Sequence, residues 1–158
     1  MNQKAFQDYY ADDLSHCYGC GRLNAHGLHL KSYWDNDESV AIFDPKPYHT
    51  AFPGYVYGGL IASLIDCHGT GTAAAAANRE EGRDMSTSHS LRFVTGSLNV
   101  EYLKPTPIGV ALEIRGSVEE INERKVVVKI KLSAEGKTCA RGRVVAVKMP
   151  EYLIPEED

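Results

Sequence analysis

Between Pro47 and Asn78 the chain holds one acid, Asp66, and no Glu, Lys or Arg. It closes the stretch PGYVYGGLIASLID, Pro53 to Asp66, which is otherwise apolar or small. A carboxylate in such company is costly to desolvate, so either its pKa rises or a donor compensates. Seven residues earlier Gly58 and Gly59 open a helical pattern. There the first amides lack helical acceptors, the positive helix end faces outward, and glycine admits a ligand close to the backbone. An oxyanion donor at Gly59 and a carboxylate about two turns along the same helix are the parts that acyl transfer to water requires. The plain alternative for Asp66 is a packing role, bonded to a neighbouring hydroxyl or backbone donor.

The elements that must position these groups follow from periodicity. Leu60, Ile61, Leu64 and Ile65 recur at helical spacing, predicting one long helix from Gly58 to about Asn78. Asp66 points nearly opposite that stripe, among Gly59, Ala62, Ser63, Gly69, Thr70 and Ala73. A helix apolar on one face and small on the other is expected to be covered on both. Gly69 and Gly71 each cost about 1 kcal/mol against Ala, so something should approach closely there. The helix's own sheet is the expected cover on one side and a partner subunit or ligand on the other, which favours an obligate dimer.

Leu28–Trp34 and Ser39–Phe43 read as a hairpin around DND, before Pro45 and Pro47. Asn78 to Ser88 reads as a solvated loop. Ser90–Leu103, Val110–Glu120, Lys125–Ala134 and Thr138–Lys148 read as four strands broken at PTPIG, INER and EGK. Such short connections make neighbours mostly antiparallel. The order is α+β, one helix packed against a curved antiparallel sheet of about six strands.

The remaining reactive side chains have plainer readings. Cys17 and Cys20, near His16, His26 and His29, form one Cys-x-x-Cys without a second well-spaced pair, so a tight turn packed on the first strand is expected and no metal. Cys67 reads as a packed thiol. His68 falls in the apolar stripe and reads as a buried, hydrogen-bonded histidine rather than a partner of Asp66. Ser63 lies one turn before Asp66 and could line a pocket, as could Phe52, Tyr55 and Tyr57. Arg79, Arg83, Arg92 and Lys104 are the cations that could meet phosphate.

Composition narrows the classes. At 158 residues and 43% hydrophobic, the chain is expected to be one domain, 1–158, with 1–27 an N-terminal extension carrying the Cys-x-x-Cys turn. A net charge of -4 with scattered cations excludes the electrostatic footprint of a nucleic-acid binder. The N-terminus has no apolar signal core and no segment reads as a membrane span, so the expected location is cytoplasmic. Four cysteines so dispersed predict no structural disulfide.

YGGLIASLID followed by VTGSLNVEYLKP resembles hotdog-fold acyl-CoA thioesterases of the phenylacetate-degradation type, and CYGCGRLNAHGLHL resembles an opening found in some members. The resemblance covers most of the chain. It implies Asp66 as catalytic carboxylate, acting on water or as nucleophile, Gly59 as oxyanion donor, and Thr95 positioning water or the carboxylate from the neighbouring subunit. Tyr57, Gly58, Ser63, Arg92 and Lys104 become expected substrate contacts. The implied substrate is an acyl-CoA, with no further cofactor, and the implied assembly is a homodimer, extending to a dimer of dimers. Tyr57 departs from the family pattern, which has His there. That departure keeps open a non-catalytic acyl-CoA binder; a second rival, an enoyl thioester hydratase, would want a His-Asp pair, and no histidine is well placed beside Asp66.

Overall fold

The computed structural model describes residues 3–86 and 91–154. After two short 3-10 turns, Phe6–Tyr9 and Asp12–Leu14, come β1 (Tyr33–Asp35), β2 (Glu38–Phe43), α1 (Gly58–Glu80), β3 (Phe93–Tyr102), β4 (Leu112–Ile121), β5 (Lys125–Ala134) and β6 (Lys137–Lys148). The strands form one sheet in the order β1-β2-β4-β5-β6-β3, every neighbouring pair antiparallel. One face of this sheet wraps α1, the hotdog arrangement the resemblance implied. No helix among the described residues is long and apolar enough to cross a membrane.

The core forms where the apolar stripe of α1 meets the sheet. Leu64 and Ile65 are fully buried with Leu112, Ile114, Val126, Val128, Leu132, Val144 and Ala146. Two glycines let helix and sheet approach. A Cβ on Gly142 of β6 would lie 2.3 Å from Ile65 Cγ2, and one on Gly69 of α1 would lie 2.5 Å from Val144 Cγ2. Each bulky side chain thus occupies the space another residue's side chain would need. Gly142→Ala is expected to lower stability by about 1–3 kcal/mol through overpacking, read as a fall in the urea midpoint at unchanged slope.

These contacts correct the expectation drawn from the small face of the helix. Gly69 is approached by β6 and Gly71 by Gln7 Nε2, 2.9 Å from where its Cβ would stand. Both close approaches are within one chain, so the glycines call for no partner.

The N-terminal segment is tied to α1 by a buried polar network. Gln7 Nε2 donates to Ser32 Oγ (3.1 Å) and the Ser32 amide donates to Gln7 Oε1 (2.8 Å). Ser32 Oγ lies 2.8 Å from His68 Nδ1, and Ser39 Oγ lies 2.9 Å from His68 Nε2 and 2.6 Å from Thr72 Oγ1. His68 is therefore the buried, hydrogen-bonded residue its place in the stripe predicted. Burial lowers its pKa to about 4, so the ring stays neutral at pH 7.

Element boundaries differ at β1 and at the end of α1, and β4 runs Leu112–Ile121 rather than Val110–Glu120. β1 is three residues rather than seven, because His29 takes a positive φ of 53° that interrupts extended backbone. Leu28 and Leu30 instead donate their amides to the carbonyls of Tyr18 and Gly19. Asn78 belongs to the helix and is buried, not part of a solvated loop: its side chain donates to the Ala74 and Leu91 carbonyls and accepts from the Leu91 amide. Ser90, the expected start of β3, lies outside the described residues.

Candidate active site

Asp66 is half-buried on α1 and lines a cavity of about 300 Å³ with Thr95, Arg92, Thr70, Tyr10 and Phe93 among its walls. The Thr95 hydroxyl donates to Asp66 Oδ1 at 2.5 Å, a charge-assisted bond that supplies the compensating donor a carboxylate needs there. Thr95 comes from β3, at a bulge where pairing with β6 shifts between Thr95 and Ser97. Bulges re-aim side chains beside functional sites. The resemblance implied that Thr95 acts from a neighbouring subunit; here it reaches the carboxylate of its own chain.

Gly58 and Gly59 occupy the first turn of α1, after Tyr57 at the N-cap. The Tyr57 ring lies over Gly59, so that a Cβ there would fall 2.4 Å from it, and Tyr57 is exposed. The Tyr102 hydroxyl donates to the Gly58 carbonyl at 2.7 Å. Gly58 lines a second cavity with Phe52, Tyr55, Tyr102, Lys104 and Thr106. Seven residues of helix place Gly59 about 10 Å along the axis from Asp66. One chain therefore does not bring the two halves of the expected constellation together.

The other expected contacts divide between these places. Arg92 lines the Asp66 cavity and Lys104 the Gly58 cavity. Ser63 lines neither; its hydroxyl donates to the Gly59 carbonyl at 2.9 Å. Arg79 stacks over Trp34, 4.8 Å from the ring centroid, and Arg83 pairs with Glu81.

Sequence reasoning missed a cluster in the Asp66 cavity. Cys17, Cys20 and Cys67 all line it, with their sulfurs within 4.8 Å of one another. Cys17 and Cys20 stand on the tight turn the sequence predicted, closed by the Gly21 amide on the Cys17 carbonyl at 2.7 Å. Cys67 comes from α1, directly after Asp66. The contacts of Cys17 with Cys20 and Cys67 hold Cys17, the exposed one, well below the usual thiol range and raise the two buried thiols. This trio is the group among the described residues able to hold a metal ion. A third thiol so far along the chain leaves no local spacing signal.

Comparison with known proteins places this geometry in a family. A family model described as the thioesterase superfamily matches residues 53–140. A thioesterase superfamily protein from Shewanella loihica is 55% identical in sequence, with 89% of this chain and 100% of that one covered and a TM-score of 0.68. This chain belongs to the thioesterase superfamily. The E. coli PaaI protein of the phenylacetic acid degradation operon shares the fold at 19% identity, covering 78% of this chain and 81% of its own, with a TM-score of 0.61. The acyl-coenzyme A thioesterase THEM4 of Xenopus laevis is 36% identical over 87 residues, 55% of this chain. The chain spans 33% of the length of that relative.

Proposed function

We propose that this protein hydrolyses acyl-CoA thioesters, with Asp66 as general base and the Gly59 amide as oxyanion donor, in a site completed by two chains. The observation that carries the reading is the Thr95-supported Asp66 carboxylate in an open cavity. Superfamily membership and the name of the THEM4 relative support the thioester substrate.

Asp66 accepts a proton from water as the water oxygen attacks the acyl carbon. The Gly59 amide faces the negative charge that develops on the carbonyl oxygen. Collapse of that intermediate breaks the carbon–sulfur bond and releases the CoA sulfur as a thiolate. Thiols are far stronger acids than alcohols, so this leaving group departs without strong acid assistance. Asp66 then gives up its proton, leaving free acid and thiol.

Two chains are invoked because of the 10 Å problem: an acyl carbon and its oxygen span far less than about two helical turns. β3 is an edge strand of ten residues, and Thr95–Asn99 of it are exposed. Long uncovered edges invite pairing with another strand. Leu98, Tyr102, Leu103 and Tyr57 are exposed on or near this side. Joining two copies along β3 would set Gly59 and Lys104 of one against Asp66 and Arg92 of the other, giving each site two cations for CoA phosphates.

The hydratase reading loses its proton carrier, since His68 is fully buried with both ring nitrogens held by serines. Thiol release from a panel of short, medium, long and aromatic acyl-CoAs tests the proposal. Release from at least one class is expected. Binding of these acyl-CoAs without release from any would overturn hydrolysis and leave an acyl-CoA-binding protein.

A further inference from the structure

The geometry points to a Zn²⁺ site made by the thiolates of Cys17, Cys20 and Cys67, its fourth position opening into the cavity that holds Asp66. This inference is independent of the thioesterase reading.

Cys17 and Cys67 sulfurs lie 3.7 Å apart. Two thiolates on one tetrahedral Zn²⁺, each bonded at about 2.3 Å, stand about 3.8 Å from one another. The third sulfur is within 4.8 Å of both, so closing the trio on one ion needs only small movement. All three cysteines are free rather than bridged.

The backbone around the trio is shaped for it. Gly19 leaves the space beside the third ligand: a Cβ there would lie 2.3 Å from Cys67 Sγ. Gly21 lets the turn close tightly, because its Cβ would fall 2.4 Å from the Cys17 amide nitrogen and 2.5 Å from the Ser15 carbonyl oxygen. Three ligands from two elements with an open fourth position match the pattern of zinc sites that keep a place for water or substrate. Zinc would also clamp the N-terminal turn onto α1 at the residue after Asp66. The sequence shows no second pair of ligands near the Cys-x-x-Cys; the helix supplies one further thiol, making three.

The test uses the full chain, purified under reductant, stripped with chelator and titrated with Co²⁺ and then Zn²⁺. One Co²⁺ per chain is expected, giving sulfur-to-cobalt charge transfer and tetrahedral visible bands that Zn²⁺ abolishes. Cys17→Ser, Cys20→Ser and Cys67→Ser should each lose these bands, while Cys139→Ser keeps them. As a check that needs no variant, Zn²⁺ should protect Cys17, the exposed thiol of the trio, from alkylation in the folded wild type, located by peptide mass. Reduced wild type that shows no cobalt bands and no zinc protection would overturn the site. So would bands that survive in the folded Cys67→Ser protein.

Discussion

Asp66→Asn is expected to cut kcat for acyl-CoA hydrolysis by about 10²- to 10⁴-fold, the range that a positioned general base contributes, with KM little changed. Asn matches the carboxylate in shape and keeps an oxygen to accept the Thr95 hydroxyl, now 2.5 Å from Asp66 Oδ1. What it loses is the ability to take a proton from water. A fall in kcat and kcat/KM together marks an interaction used in the transition state. The measurement is thiol release with wild type and variant side by side, plus a thermal melt to show equal folding. Near-normal turnover in the variant would reduce Asp66 to a packing residue, the plain alternative the sequence left open.

The second large effect concerns two inactive variants that together regain activity. Gly59→Pro deletes the proposed oxyanion donor; the first turn of a helix tolerates proline because its amides have no helical acceptor. The ring would displace the exposed Tyr57 side chain, which now lies over Gly59. Alone, this variant and Asp66→Asn should each be nearly silent. Unfolded together and refolded, half the pairs of a two-fold dimer are mixed, and each mixed pair has one intact composite site of two, so activity should return to about a quarter of wild type. If both halves of the site instead belonged to one chain, no mixture would contain an intact site. Activity staying at the level of the separate variants would then sink the two-chain reading while leaving hydrolysis itself untouched.

Some of this was legible in the amino-acid order. Asp66 stood out because charge is missing for many residues on either side, and it lines a cavity. β5 is read to the residue, Lys125–Ala134, since alternation between turn signals leaves little choice. Where reading failed, the cause was a contact between residues distant along the chain or a conformation their types do not advertise. His29 with its positive φ cut β1 short. The approach of Gln7 and Val144 to Gly71 and Gly69 looked, from spacing alone, like the mark of a second subunit. Cys67 joined the two turn cysteines only because the N-terminal segment folds back over α1. The placing of Gly58 and Asp66 on one helix was legible, but their lining of separate cavities was not.

The bulge in β3 bears on how this site could vary in evolution. Thr95 pairs with Ala146 and Ser97 with Val145, consecutive residues of β6, leaving Gly96 between them without a partner of its own. Removing Gly96 would therefore let the ladder run on with every later pair, through Tyr102 and Ala140, unchanged. No side chain would have to swap from one face of the sheet to the other, the usual penalty of a one-residue slip. Only the local twist would relax, altering the pitch at which Thr95 meets Asp66. Gain or loss of a residue at this point is a change of length that the reading frame of the sheet absorbs, so descendants could adjust the hydroxyl–carboxylate geometry there without repacking the core.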